Sequence, residues 1–219
     1  MGRALTAVVM AVAMVGCASM TPAPTPTQVD RLEQLFVQTL PLGWMVTRVA
    51  AQEPQWPLQQ RYAGKYTREQ LACVRAQLTP EKVVVTQRED ARAFARRHPA
   101  RVAESIEVLE GGGAEVMSRI MRGGIEQGSR GQKRFDAHVA LAGFPAAKLR
   151  RFVELMEGSE HAELRQAIRL QDSVSQSGLA NGRRVAQSLL ITPMMAALEH
   201  CGLPLLLQQE RQPSTGSST

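Results

Sequence analysis

Aromatic side chains make up only 4% of this 219-residue chain, with five Phe, two Trp and two Tyr. Ala, Leu, Val and Met carry most of its apolar content. A sheet sandwich would call for more aromatic and β-branched residues, so this balance predicts helices packed on helices. Histidine is also scarce. His98, His138, His161 and His200 are scattered and form no HExxH or similar ligand spacing, so no metal site is expected. Glu157, Glu160 and His161 are near enough along one segment to meet on a helix, but a solvated charged face is the simpler account of them. No Gly-x-Ser-x-Gly elbow is present, and Gly128-Ser129-Arg130-Gly131-Gln132-Lys133 lacks both the ending and the preceding strand of a phosphate loop. No catalytic residue and no cofactor are expected, and the chain reads as a non-enzyme. Long apolar runs are missing too. The block from Val185 to Leu207 is interrupted by Pro193, Glu199, His200 and Pro204, which predicts a buried core helix and not a membrane span.

The N-terminus, by contrast, is highly patterned. Arg3 precedes an apolar stretch from Ala4 to Val15, about 18 Å of helix against the ~30 Å needed to cross a bilayer. That is the h-region of a secretory signal. It ends in Met14-Val15-Gly16-Cys17, which resembles the lipobox of bacterial lipoproteins, with Met14 where Leu is preferred. The resemblance implies cleavage after residue 16 and lipid on Cys17, which would attach the chain to a membrane. Ala18 and Ser19 follow with no Asp, so the resemblance further implies the outer membrane, facing the periplasm. Ordinary secretion, with cleavage nearby, is the alternative. Residues 1–16 are then a signal peptide and 17–27 a lipidated N-terminus with a stiff Pro/Thr tether. Residues 28–207 form a helical domain, and 208–219 a polar, disordered tail.

With Cys17 lipidated, Cys73 and Cys201 remain. An even remainder in an oxidising compartment predicts one disulfide, with two buried free thiols as the alternative.

The domain reads as all-α throughout. A Thr27-x-x-Asp30 pattern opens a first helix that Pro41 breaks; a second apolar stripe around Trp44 and Met45 ends at Pro54. Thr67-Arg68-Glu69-Gln70 is a capping box, and Thr79-Pro80-Glu81 starts a helix that stops before Pro99. Gly111-Gly112-Gly113 and the stretch from Gly123 to Gly131 interrupt the next helical pattern. Pro145 to Met156 forms an amphipathic helix, separated by Gly158-Ser159 from the next. The only β-like run, Val83 to Val85, lies behind a helix cap.

Two segments invite superposition as divergent helical repeats. Trp44 to Val49 can be laid on Glu115 to Ile120, and Tyr66, Leu71, Val74 and Leu78 on Phe144, Leu149, Phe152 and Met156. The pattern Tyr66-Thr67-Arg68-Glu69-Gln70-Leu71 with Thr79-Pro80 also resembles a family of small secreted bacterial helical proteins. That resemblance implies a helical fold and no defined activity.

The formal net charge is +6, and Arg far outnumbers Lys. Nucleic acid is an unsuitable partner for an exported chain, so the expected partners are a membrane, an anionic envelope component or an envelope protein. Arg88, Arg92 and Arg96 repeat every four residues and should share one helix face, a candidate contact for such a partner or else a solvated surface. The function these features predict is a membrane-anchored periplasmic lipoprotein acting through protein–protein or envelope contacts. A helical carrier enclosing a lipid or other apolar ligand is the alternative, with Met117, Met121, Met156, Met194 and Met195 as an adaptable lining.

Overall fold

Thr25 and Gln28 set the start of the first helix. The Thr25 hydroxyl accepts the Gln28 N–H at 3.3 Å, and the Gln28 side chain accepts the Thr25 N–H at 2.9 Å. With Pro26 in the first helical position, this capping box fixes α1 as Pro26–Thr39. The expected start at Thr27–Asp30 is therefore corrected, because Pro26 and Thr27 already belong to the helix. The computed structural model describes residues 23–52, 56–57, 66–129, 137–170 and 193–203. The signal segment, Cys17 and the C-terminal tail lie outside the described residues.

The described residues are all-α. Pro41 separates α1 from α2 (Leu42–Gln52). Thr67 and Gln70 form the capping box of α3 (Arg68–Gln77), and Thr79 caps α4 (Pro80–Arg97), with His98 at its C-terminus. A 3₁₀ turn at Pro99–Arg101 leads into α5 (Val102–Val108), and a wide π turn at Leu109–Gly113 into α6 (Ala114–Ser129). There follow α7 (Ala137–Leu141), α8 (Ala146–Glu157), a 3₁₀ turn at Ser159–His161, α9 (Ala162–Ile168) and α10 (193–200). Gly123 and Gly124 do not break α6, in contrast to the expectation. Each glycine costs a helix about 1 kcal/mol, which the burial of Ile120, Met121 and Ile125 on the same helix readily offsets, at about 1.5–3 kcal/mol per side chain. No described helix is long and apolar enough to cross a membrane.

The core gathers on α1, which packs against α4, α5 and α6. Leu32, Leu35, Phe36 and Leu40 are almost fully buried, as are Phe94 of α4 and Met117 of α6. Phe36 and Phe94 meet at 6.2 Å between ring centres. Gln87 Nε2 donates to the Leu40 carbonyl at 2.8 Å, which also accepts the Leu42 N–H at 2.7 Å, and so ties α4 to the end of α1. These pairings run α4 antiparallel to α1, with Gln87 near residues 36–40 and Arg92 on Glu33.

Gly111, Gly112 and Gly113 have a role that helical periodicity does not disclose: they are where α8 crosses the π turn. A Cβ on Gly112 would lie 2.6 Å from Lys148 Cα, and one on Gly113 would lie 2.9 Å from Leu155 Cδ2. Gly112 also holds φ at 144°, a conformation L side chains rarely adopt. Backbone meets backbone here, and α8 sits closer than any side chain would permit.

The two segments compared as repeats are both helical but dock differently. α8 lies across the glycine turn, whereas α3 is fastened by a disulfide from Cys73 to Cys201, with a Cα–Cα distance of 6.0 Å. Arg75 of α3 also donates to the Trp56 carbonyl at 2.7 Å.

Candidate functional site

The arginine face of α4 divides in two. Arg88 and Arg96 are exposed. Arg92 turns onto Glu33 of α1 with two bonds, Nε to Oε1 at 2.6 Å and Nη2 to Oε2 at 3.0 Å. The Glu33 side chain is only 9% exposed, and a buried carboxylate demands a charged partner. Among the described residues, Arg92 therefore has a structural partner within the fold, unlike Arg88 and Arg96, although its side chain stays half exposed. Helical spacing does not disclose this pair, because the two residues are 59 positions apart in the chain.

The antiparallel register gives the remaining arginines a location. With Gln87 beside Leu40 and Arg92 beside Glu33, the last turn of α4, carrying exposed Arg96 and Arg97, lies opposite the first turns of α1. The basic end of α4 and the point where the chain enters the helical body are thus at the same end of the fold. Other charges are used between helices: Arg31 pairs with Glu110, Lys148 with Glu115, Arg151 with Glu107 at 2.6 Å, and Arg169 with Asp90 at 2.8 Å.

A cleft between α1, α4 and α9, lined by Phe36, Leu40, Val83, Gln87 and Ile168, holds about 20 Å³. That is room for a water molecule, far short of the ~300 Å³ at which ligand pockets begin. Of the methionines put forward as a carrier lining, Met117 and Met121 are buried in the core, and Met156 and Met194 pack against it.

A second cluster sits where α8 gives way to α9. Glu154, Glu160 and His161 place one ligand atom each within 4.8 Å of one another. The grouping weighed from sequence, and read there as a solvated charged face, has Glu157 in place of Glu154. α8 ends at Glu157 and the chain reverses at Gly158, so Glu157 points outward while Glu154, one turn earlier, faces the imidazole. His161 is buried, and its Nε2 has no hydrogen-bond partner among the described residues. The Glu160 carboxyl is held below its ordinary range, chiefly because its own backbone N–H donates to it. His161, Ser159 and Arg101 add to this effect, against the opposing effect of burial.

No family model matches the chain, and no curated protein or solved structure shows significant similarity to it.

Proposed function

We propose that this chain is a lipid-anchored periplasmic lipoprotein of the outer membrane, acting as a non-enzymatic module that contacts an anionic envelope surface. The anchor rests on Met14-Val15-Gly16-Cys17 and the short h-region before it. The contact surface rests on one observation: exposed Arg96 and Arg97 lie at the end of the body where the chain enters α1. A tether of only a few residues between Cys17 and Pro26 keeps that end near the head groups. There each arginine contributes about 1 kcal/mol of attraction. Arg88, two turns back on α4, extends the same basic strip.

Two measurements test the two halves of this reading separately. Replacing Cys17 with Ser should abolish labelling by a fatty-acid analogue and release the protein from membranes; labelling that persists rejects the anchor. At low salt and millimolar lipid, the unlipidated Cys17→Ser protein should bind weakly to vesicles containing anionic lipid and not to neutral ones. Adding Arg88→Gln and Arg96→Gln, with Arg92 left on Glu33, should weaken that binding about tenfold or more at low salt, and the difference should shrink as salt rises. Equal binding by the parent and the double variant at low salt makes the strip an ordinary solvated face.

A further inference from the structure

We infer that Glu154, Glu160 and His161 form a binding site for a first-row divalent transition cation such as Zn²⁺, independent of the anchor and of the basic strip. His161 supplies the decisive geometry. Its side chain is 3% exposed, and Nε2 lies 3.8 Å from Glu154 Oε1 and 3.9 Å from Glu160 Oε1. Both separations are too long for a hydrogen bond, so neither carboxylate satisfies the nitrogen, although both face it. A cation bound to one imidazole nitrogen and two carboxylate oxygens at about 2.1 Å would bring these donors to about 3.4 Å apart. The carboxylates, 38% and 42% exposed, can close that gap by side-chain rotation while the buried imidazole stays fixed. Three protein ligands with the remaining coordination open to solvent is a recurrent zinc arrangement, and the imidazole–carboxylate set suits zinc and its neighbours.

The surroundings support those ligands. Arg165 donates to the Leu155 and Gly158 carbonyls at 2.8 and 2.7 Å, fixing the corner from which both carboxylates project. A Cβ on Gly158 would lie 2.6 Å from Glu160 Oε1 and 2.6 Å from the Glu154 carbonyl, so only glycine leaves Glu160 room to fold back over the turn. Ser159 Oγ lies 3.4 Å from Glu160 Oε2. Arg151 holds Glu154 through both oxygens, at 3.1 and 2.9 Å, and is the group a cation must displace; it keeps Glu107 as a partner. Although the chain is basic overall, acids outnumber bases at this corner: Glu104, Glu107, Glu154, Glu160 and Glu163 stand against Arg101, Arg151 and Arg165.

The test uses the full-length protein in detergent micelles, stripped with chelator and titrated with Zn²⁺ by calorimetry and with Co²⁺ by visible absorption. A single equivalent should bind, with a shift in the His161 ring resonances. Glu160→Gln, at an exposed position that should leave folding intact, should weaken binding by at least about tenfold. Glu154→Gln should do the same, and His161→Gln should abolish the site. Absence of binding up to millimolar Zn²⁺ overturns the inference, as does binding whose affinity in Glu160→Gln and Glu154→Gln is unchanged from that of the parent. If His161→Gln fails to fold, the two glutamate variants still decide the matter.

Discussion

Replacing Gly112 with Ala tests the helix crossing on which the second half of the fold depends. The added methyl would lie 2.6 Å from Lys148 Cα and 2.7 Å from the Lys148 carbonyl oxygen. Those atoms belong to the backbone of α8, so no rotamer change relieves the contact and the helix itself must retreat. Overpacking of that kind costs about 1–3 kcal/mol. The φ of 144° adds about 1–3 kcal/mol for a residue that has a Cβ. The expected loss is about 4 kcal/mol, a large part of the 5–15 kcal/mol that keeps a typical domain folded. Urea unfolding followed by circular dichroism measures it, and two controls divide it. Gly143→Ala keeps a positive φ, 85°, but nothing lies within 4 Å of the new methyl, so it should show the conformational cost alone. Gly111→Ala meets the Arg151 side chain first, with Cγ at 2.9 Å, so it should cost less than Gly112→Ala because a side chain and not the helix backbone must shift. If Gly112→Ala loses no more stability than Gly143→Ala, the close approach of α8 to the π turn is wrong.

Two further outcomes follow from the packing. The Cys73–Cys201 bridge spans 128 residues, which the chain-entropy model values at about 5 kcal/mol; reduction should lower the melting temperature by about 10 °C or more. Two alkylatable thiols in unreduced, denatured protein from the periplasm would count decisively against it. Arg92→Gln should destabilise measurably but by less than the loss of a fully buried pair, because Arg92 is half exposed while Glu33 is left buried. In a double-mutant cycle with Glu33→Gln, the coupling should recover much of that loss, and additive effects would mean the pair is not formed.

What the sequence discloses and what it hides follow from the range of each interaction. Helix starts at Thr67 and Thr79, the break at Pro41 and the stop before Pro99 were legible because each is settled within about four residues by a hydroxyl, a ring or a missing N–H. Even the misplaced start of α1 was a choice between two neighbouring threonines, decided by Pro26 and by Gln28 in place of Asp30. The glycine triplet was seen as a disruption because its purpose lies on α8, more than thirty residues on. Arg92 looked like its neighbours on the helix face, since nothing local distinguishes an arginine whose partner is Glu33. Helical spacing groups Glu157 with Glu160 and His161, but the helix ends at Gly158, and past that turn it is Glu154 that faces the imidazole.

The division among the arginines bears on how little affinity the proposed basic strip requires. Arg31, Arg92, Arg151 and Arg169 each pair with an acid on a distant element, so the positive surplus is left to residues such as Arg88 and Arg96, which take part in no ion pair among the described residues. Two or three such charges near an anionic surface give about 2–3 kcal/mol, too weak to hold a free protein on a membrane. With lipid on Cys17 the surface is no longer at bulk concentration. The tether to Pro26 extends at most about 30 Å, so the head groups act at an effective concentration in the millimolar range. Under that constraint the same energy favours the docked orientation by about thirtyfold or more over the freely rotating one. Salt should therefore control how the body is oriented while leaving it attached, since screening reaches the arginines and not the acyl chains.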